Sequence, residues 1–206
     1  MKINQDNLEK RIKSLENDVN LFKQYIKKNN GNEKIENLDS LIINSNENYN
    51  TILKNWINEN SKIKSQLLYR LSRDGKEYST FHKLCDKKGN TLLLVKLMDG
   101  NILGGFTTQN WDNSGLWKKD DNSFVFSLTS NQKRNNNPNN ESIYCGHENR
   151  GPCFGFFLYF FDRKMDEVGI NSNDNYYLDC TQLHNGTDHY SGNKVQEVEI
   201  FKILIE

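Results

Sequence analysis

His82 and Cys85 stand one helical turn apart in "FHKLCDKKGNTLLLVK", with Asp86 next to the thiol. An imidazole, a thiol and a carboxylate at that spacing could ligate a metal, pair a nucleophile with its base, or pack one side of a helix on a sheet. The other side chains able to join such chemistry are Cys145, His147, Cys153, Cys180, His184 and His189. A structural zinc site shows paired short spacings, such as CxxC with a second CxxC. Here the short pairs are His82/Cys85 and Cys145/His147, a pattern that favours packing over metal. A nucleophilic thiol needs a helix N-terminus or a neighbouring cation to lower its pKa. Cys85 falls towards the end of its short helix beside Asp86, where both influences act the other way. Cys153, between Pro152 and Phe154 with Arg150 close in sequence, is the better redox thiol of the two. Ser72, Arg73 and Asp74 read as a turn completed by Gly75. No phosphate loop, nucleophile elbow or HExxH segment is present. The residues therefore assign no catalytic, cofactor-binding or metal-binding position, and the expectation is a protein that is not an enzyme.

Those side chains must be positioned by a polar but core-forming chain. Of its 206 residues 35% are apolar and 26% charged, and eleven Phe, nine Tyr and three Trp supply a core that a disordered chain would lack. The formal net charge is zero, which argues for neither nucleic acid nor an acidic membrane surface. "MKINQDNLEK" has no apolar signal region and no stretch approaches a membrane span, so the expectation is a cytoplasmic protein with reduced thiols and no integral membrane segment. The sequons at Asn140 and Asn185 are then chance matches.

Residues 1–38 read as a helix and linker. Leu8, Ile12, Leu15, Val19, Phe22 and Ile26 alternate four and three apart, with Ile12, Val19 and Ile26 at position a and Leu8, Leu15 and Phe22 at d. The pattern predicts a parallel homodimeric coiled coil through residues 5–28, in which Arg11 faces Glu16 and Asp18 faces Lys23 of a second copy. The same stripe also suits an amphipathic helix folded back on its own domain.

Residues 39–206 read as one domain. Asn44 and Glu47 form a capping box ahead of a helix carrying Tyr49, Ile52, Leu53, Trp56 and Ile57 on one face. "SQLLYRLS" reads as a strand, and "STFHKLCD" as a short helix capped by Ser or Thr. "NTLLLVKLMDGNILGGFTT" is a β-hairpin turning at Asp99-Gly100, and Gly104 and Gly105 mark a bulge or a close backbone approach. "SFVFSLTS", "CFGFFLYFFD" and "KVQEVEIFKILIE" are further strands, and "NQKRNNNPNNES" is a long polar loop. Many strands, few helices and no βαβ rhythm predict an α+β, mainly β fold: a two-sheet antiparallel β-sandwich with flanking helices.

The succession "LLYRLSRDG", "FHKLCDKKGNTLLLVK", "GNILGGFTTQNW", "FVFSL", "GPCFG" and "EVEIFKI" resembles the TLDc domain of oxidation-resistance proteins and of TBC- or LysM-containing proteins. The likeness runs from about Asp39 to Glu206. It implies two sheets packed face to face with helices at the side, a non-enzymatic interaction module, a link to oxidative-stress protection, and binding to the soluble sector of the vacuolar-type proton ATPase. Two features depart from the family. After "FG" the chain enters "FFLYFFD" directly, without the family's longer Gly-rich run and its His and Asp, and "NSNDNYYLDCTQLHNGTDHYSGN" matches poorly. Two other readings stand beside the resemblance: a thiol- or metal-dependent enzyme acting on oxidants, and a dimeric adaptor that recruits helices through its coiled coil.

Overall fold

The computed structural model describes residues 11–13, 15–16, 19, 38–43, 46–160, 164–171, 177 and 189–206, with the side chains of 189–192 excepted. The chain divides into two compact units, Met1–Ile35 and Glu36–Glu206. In the first, Arg11, Ile12, Lys13, Leu15, Glu16 and Val19 are helical and exposed. Leu8, Phe22 and Ile26 of the expected stripe, and Asp18 and Lys23 of its charge pairs, lie outside the described residues.

The second unit runs α1 (Glu47–Asn58), β1 (Ile63–Arg70), α2 (Leu71–Asp74), α3 (Tyr78–Cys85), β2 (Thr91–Leu97), β3 (Ile102–Thr107), β4 (Trp117–Lys118), β5 (Phe124–Ser127), β6 (Gln132–Asn135), β7 (Ile143–Tyr144), β8 (Cys153–Phe154), β9 (Leu158–Tyr159), β10 (Glu167–Ile170) and β11 (His189–Ile205). The fold is mainly β, antiparallel and poor in helix, as expected. The sequence predicts a two-sheet sandwich. Hydrogen bonding runs through the strands in the order β4-β7-β8-β9-β10-β11-β2-β3-β5-β6, with β1 also on β11. The joint is β11. Its first part pairs with β10, and its later part with β2 on one side and β1 on the other.

The central strands are buried on both faces because their apolar runs are continuous rather than alternating. Leu93, Val95 and Leu97 of β2 enter one core with Phe81 and Cys85 of α3, Phe154, Leu158 and Val168. Leu92 and Leu94 point the other way, into a second core with Phe106, Phe126, Phe201 and Ile203, closed by Leu53 of α1 and by Ile42 and Ile43. The β2–β3 hairpin turns at Asp99-Gly100 as predicted, with Gly100 at φ +92°. Gly104 and Gly105 serve close approach and make no bulge, since β2 and β3 pair in unbroken register through them. A Cβ on Gly104 would overlap the Leu93 carbonyl oxygen and the Phe126 ring. A Cβ on Gly105 would meet the Phe154 ring at 2.7 Å. Each glycine thus leaves room for one phenyl ring on one face.

Local expectations fail where a nearby residue does the same job better. The N-cap of α1 is Asn46, whose Oδ1 accepts from the Asn48 and Tyr49 N–H groups at 3.0 and 3.2 Å; Asn44 lies outside the described residues. No Ser or Thr caps α3: it begins at Tyr78, so Ser79 and Thr80 fall inside its first turn. The Arg and Asp of "RDG" belong to a single helical turn, α2, which Gly75 ends at φ +78°. "CFGFFLYFF" is no single strand, because Gly155 at φ +56° turns it into the β8–β9 hairpin. The polar "NQKRNNNPNN" contains β6, an edge strand on β5 that needs no apolar alternation. There Lys133 spans the two layers. Its ammonium lies 4.3 Å from the Phe124 ring centroid and donates to the Trp56 carbonyl at 3.0 Å, so a tertiary cation caps the C-terminal end of α1. Among the described residues no helix is long and apolar enough to cross a membrane.

Candidate functional site

The helix α3 carries the residues with which chemistry could begin. Its apolar side, Phe81 and Cys85, is driven into the first core, which leaves His82 at the rim with a nearly covered side chain. His82 Nδ1 lies 3.0 and 3.1 Å from the two Asp86 carboxylate oxygens. Its Nε2 lies 3.0 Å from the Arg150 carbonyl oxygen and 3.2 Å from that of His147. An imidazole poised as a general base offers one nitrogen to a substrate. Here both nitrogens face oxygens of the chain itself. The His82–Asp86 pair clamps the 147–150 turn onto α3.

Cys85 lies in the apolar interior, where burial, reinforced by Asp86, pushes its thiol far above the ordinary range. Cys153, the better redox thiol by sequence, is wholly buried and rests against the Gly151 carbonyl at 3.4 Å. Burial again raises its pKa strongly, and Arg150 offsets little of that. Cys145 is buried as well; its thiol and the Lys118 ammonium share the Asn110 carbonyl, at 3.4 and 2.7 Å. Burial raises its pKa while Lys118 opposes. Low-pKa, accessible cysteines are the reactive ones, and these three are neither. Among the described residues no three His, Cys, Asp or Glu side chains gather to hold a metal. Cys180, His184 and the side chain of His189 lie outside them. Ser72, Arg73 and Asp74 form no catalytic set. Asp74 takes the Arg73 guanidinium at 2.8 and 2.9 Å and the Arg70 N–H at 2.8 Å, and these hold its carboxyl below the usual range although burial opposes.

The turn held by His82 borders an open cleft of about 480 Å³ lined by Glu77, Tyr78, Ser79, Glu148, Asn149, Arg150 and Lys164. Two carboxylates and two cations offset each other there, and Lys164 is bonded to Glu77 at 2.7 Å. Small-molecule sites are mostly apolar with a few converging polar groups, so this lining suits a polar protein contact better than a substrate. An aromatic row adjoins it: Arg150 stands over Tyr144, Tyr144 packs on Trp117, Trp117 on Phe156 and Phe156 on Tyr159. Phe156 and Leu116 are 39% and 62% exposed. Exposed aromatics rimmed by charge are the composition of a protein-binding surface.

Sequence reasoning missed a buried polar cluster on β11. Glu199, fully buried on β11, accepts from the Arg70 guanidinium at 2.7 Å, the Leu41 N–H at 2.9 Å and the Ser40 hydroxyl at 2.5 Å. Arg70 also donates to the Asp39 carbonyl at 2.6 Å. Residues 38–43 are thereby strapped over the second core, with Ile42 and Ile43 as plugs. The alternation of "KVQEVEIFKI" gave the available signal, since it places the acidic Glu199 on the same face as Phe201.

Comparison with known proteins is consistent with this geometry. The TLDc domain family matches residues 38–204, a span that begins at the strap and ends within β11. A shorter likeness is to the MTOR-associated protein MEAK7 of Danio rerio, 32% identical over 63 residues, which is 31% of this chain and 14% of that relative. The matched stretch is thus a small part of the relative's length. With four-fifths of its length in one family match, the chain belongs to the TLDc domain family.

Proposed function

We propose that the chain is a non-enzymatic protein-interaction module of the cytoplasm that contributes to oxidative-stress protection by binding the soluble sector of the vacuolar-type proton ATPase. The observation that carries the reading is the engagement of both His82 nitrogens with Asp86 and with the 147–150 turn, beside three buried thiols. The chemistry-bearing side chains stabilise a surface; they do not face a substrate. The shared core of Leu93, Val95, Phe154, Leu158 and Val168 further supports reading the two halves of the sheet as facing layers of a sandwich.

Affinity capture with the ATPase's soluble sector tests the proposal. Retention that survives removal of residues 1–38 and is lost when the sheet is disrupted supports it; no retention of the intact chain overturns it. Association with MTOR, stated in the name of the Danio rerio relative, would be read out in the same capture. The enzymatic reading is tested by peroxide consumption with Cys153→Ser and Cys85→Ser controls. Rapid turnover abolished by either substitution would replace the proposal.

A second reading has its own observation. Ile12, Leu15 and Val19 are 47%, 63% and 51% exposed on the N-terminal helix, as a coiled-coil stripe awaiting a second copy would be. In that reading the helix makes the module a parallel dimer and an adaptor. A chain that sediments as a monomer at all concentrations excludes it.

A further inference from the structure

A sheet that is not closed has edges, and folded proteins blunt them with bulges, charges, short strands or covering side chains. The edge strands β4 and β6 are two and four residues long. β1 has eight residues and, among the described residues, is bonded on one side only, to β11. Its ladder alternates in a fixed phase. Lys62 and Glu206 exchange both backbone hydrogen bonds, at 3.3 and 2.9 Å, so Lys64 with Leu204 and Gln66 with Lys202 are the next bonded pairs. Ile63, Ser65 and Leu67 therefore turn their N–H and C=O groups away from β11. Among the described residues none of these groups has a partner. Past the bulge at Leu68 the edge is defended: the Arg73 guanidinium donates to the Leu68 carbonyl at 2.9 Å. From Ile63 to Leu67 no such cover is found among the described residues.

We infer that the Ile63–Leu67 edge is a docking site for an extended segment of a partner protein, which adds to the sheet beside β1 and alternates acidic with apolar side chains. The two faces of the edge choose this occupant. On one, Ile63 and Leu67 are partly buried against the second core and Ile205 is 39% exposed beside Ile63, so an incoming strand meets an apolar floor. On the other, among the described residues, stand Lys62, Lys64 and Lys202 with Glu206, which is bonded to Lys64 at 2.6 Å. That face carries an excess of positive charge. A second copy of this chain, paired antiparallel about Ser65, would bring two such basic rows onto one face, and like charges there are unfavourable. Acidic side chains at alternate positions are complementary instead. Main-chain hydrogen bonds to the open groups would supply affinity, and the two faces would supply selection. The inference deepens the interaction reading and rests on it only for the kind of partner. Its test needs no ATPase, so failure of the capture above and failure of this site are separable.

The probe is a blocked seven-residue peptide alternating Glu and Val, titrated to millimolar concentration against the full chain while backbone amide exchange is followed by NMR. Protection of the Ile63, Ser65 and Leu67 amides is expected, with the same peptide in reversed charge, Lys and Val, binding at least about fivefold more weakly. Ser65→Pro removes an outward N–H while leaving the β11 ladder whole, because proline is tolerated at an edge whose N–H faces solvent. It should weaken binding by about tenfold or more. Should Ser65→Pro fail to fold, a Glu-Val peptide N-methylated on the amides facing β1 replaces it and must lose binding to the same extent. No protection of those three amides at millimolar peptide overturns the inference. So does binding indifferent to N-methylation, or protection that grows with protein concentration in the absence of peptide, which would assign the edge to a second copy.

Discussion

The two faces of the central strands are closed by different means. On the first, α3 and the strands β7 to β10 cover Leu93 and Val95, and those strands belong to the same hydrogen-bonded sheet through β11. On the second, α1 and the strap of residues 38–43 cover Leu92 and Leu94, and neither is part of the sheet. The first cover is held by ladder bonds along its length. The second is held at a few polar points: Glu199 with Arg70 and Ser40, Lys133 on the Trp56 carbonyl, and Asn50 Oδ1 accepting from the Leu38 N–H at 3.1 Å. A face closed by detached elements concentrates its stability in single side chains, whereas a face closed by sheet spreads it.

The largest expected effect lies on the second face. Glu199→Ala leaves the nearly covered Arg70 guanidinium, the Ser40 hydroxyl and the Leu41 N–H without their acceptor, and breaking a buried pair from one side costs about 3–5 kcal/mol. Urea denaturation should show that loss, with amide exchange at Leu41–Ile43 rising beyond the global change. A loss under about 1 kcal/mol would mean that the strap does not depend on this cluster. The consecutive glycines then compare the faces directly. Gly104→Ala drives a methyl into the backbone oxygen of Leu93, which cannot rotate away, and should cost about 3 kcal/mol. Gly105→Ala meets the Phe154 ring first, a side chain rather than backbone, and should cost about 1–2 kcal/mol. The reverse order in thermal unfolding would contradict the account of both faces.

His82→Ala removes the donor to the His147 and Arg150 carbonyls at the rim of the first face. A global loss of about 1–2 kcal/mol is expected. Exchange in residues 147–151 should rise more than exchange in β8, because the ladder still holds the cover. Uniform acceleration across both segments would remove the distinction between spread and concentrated stability.

The smallest effect is acidic. Burial alone would raise the Asp112 carboxyl, but its bonds to Lys118 at 2.6 Å and to Ser114 bring it down to about 2. A carboxylate whose folded pKa lies below its unfolded value of about 4 contributes stability that is complete above that value and disappears as the pH falls through about 2. Asp112→Asn should therefore cost about 1 kcal/mol at neutral pH, partial exposure having screened the pair, and nothing near pH 2. A difference independent of pH would show that charge is not its origin.

Much of the fold was legible in the residue pattern because its signals are local. Asp99-Gly100 between two apolar runs can hardly be other than a hairpin, and the ordered segments from "LLYRLSRDG" to "EVEIFKI" suffice for the family. The candidate site was legible only in its negative part. Cys85 could be placed in a core by its helical position. Cys153 could not, since its neighbour Arg150 in sequence carries no information on depth, and it is the pairing of β8 with β7 and β9 that sets it in the buried core. The strap escaped notice because nothing in "DSLIINS" announces an acceptor more than 150 residues away.

From the sequence alone came a mainly β domain, its central hairpin, the two glycines as places of a bulge or a close approach, and a chain without a recognisable catalytic motif. These follow from side-chain period and turn chemistry, which act over a few residues. Tertiary structure decided what those features meet: Phe126 on one glycine and Phe154 on the other, the second nitrogen of His82 against carbonyls 65 and 68 residues on, and Glu199 beneath the strap. The physical reason is register. A buried polar group must find its partner once water has gone, and which partner lies opposite is settled only when distant strands have paired.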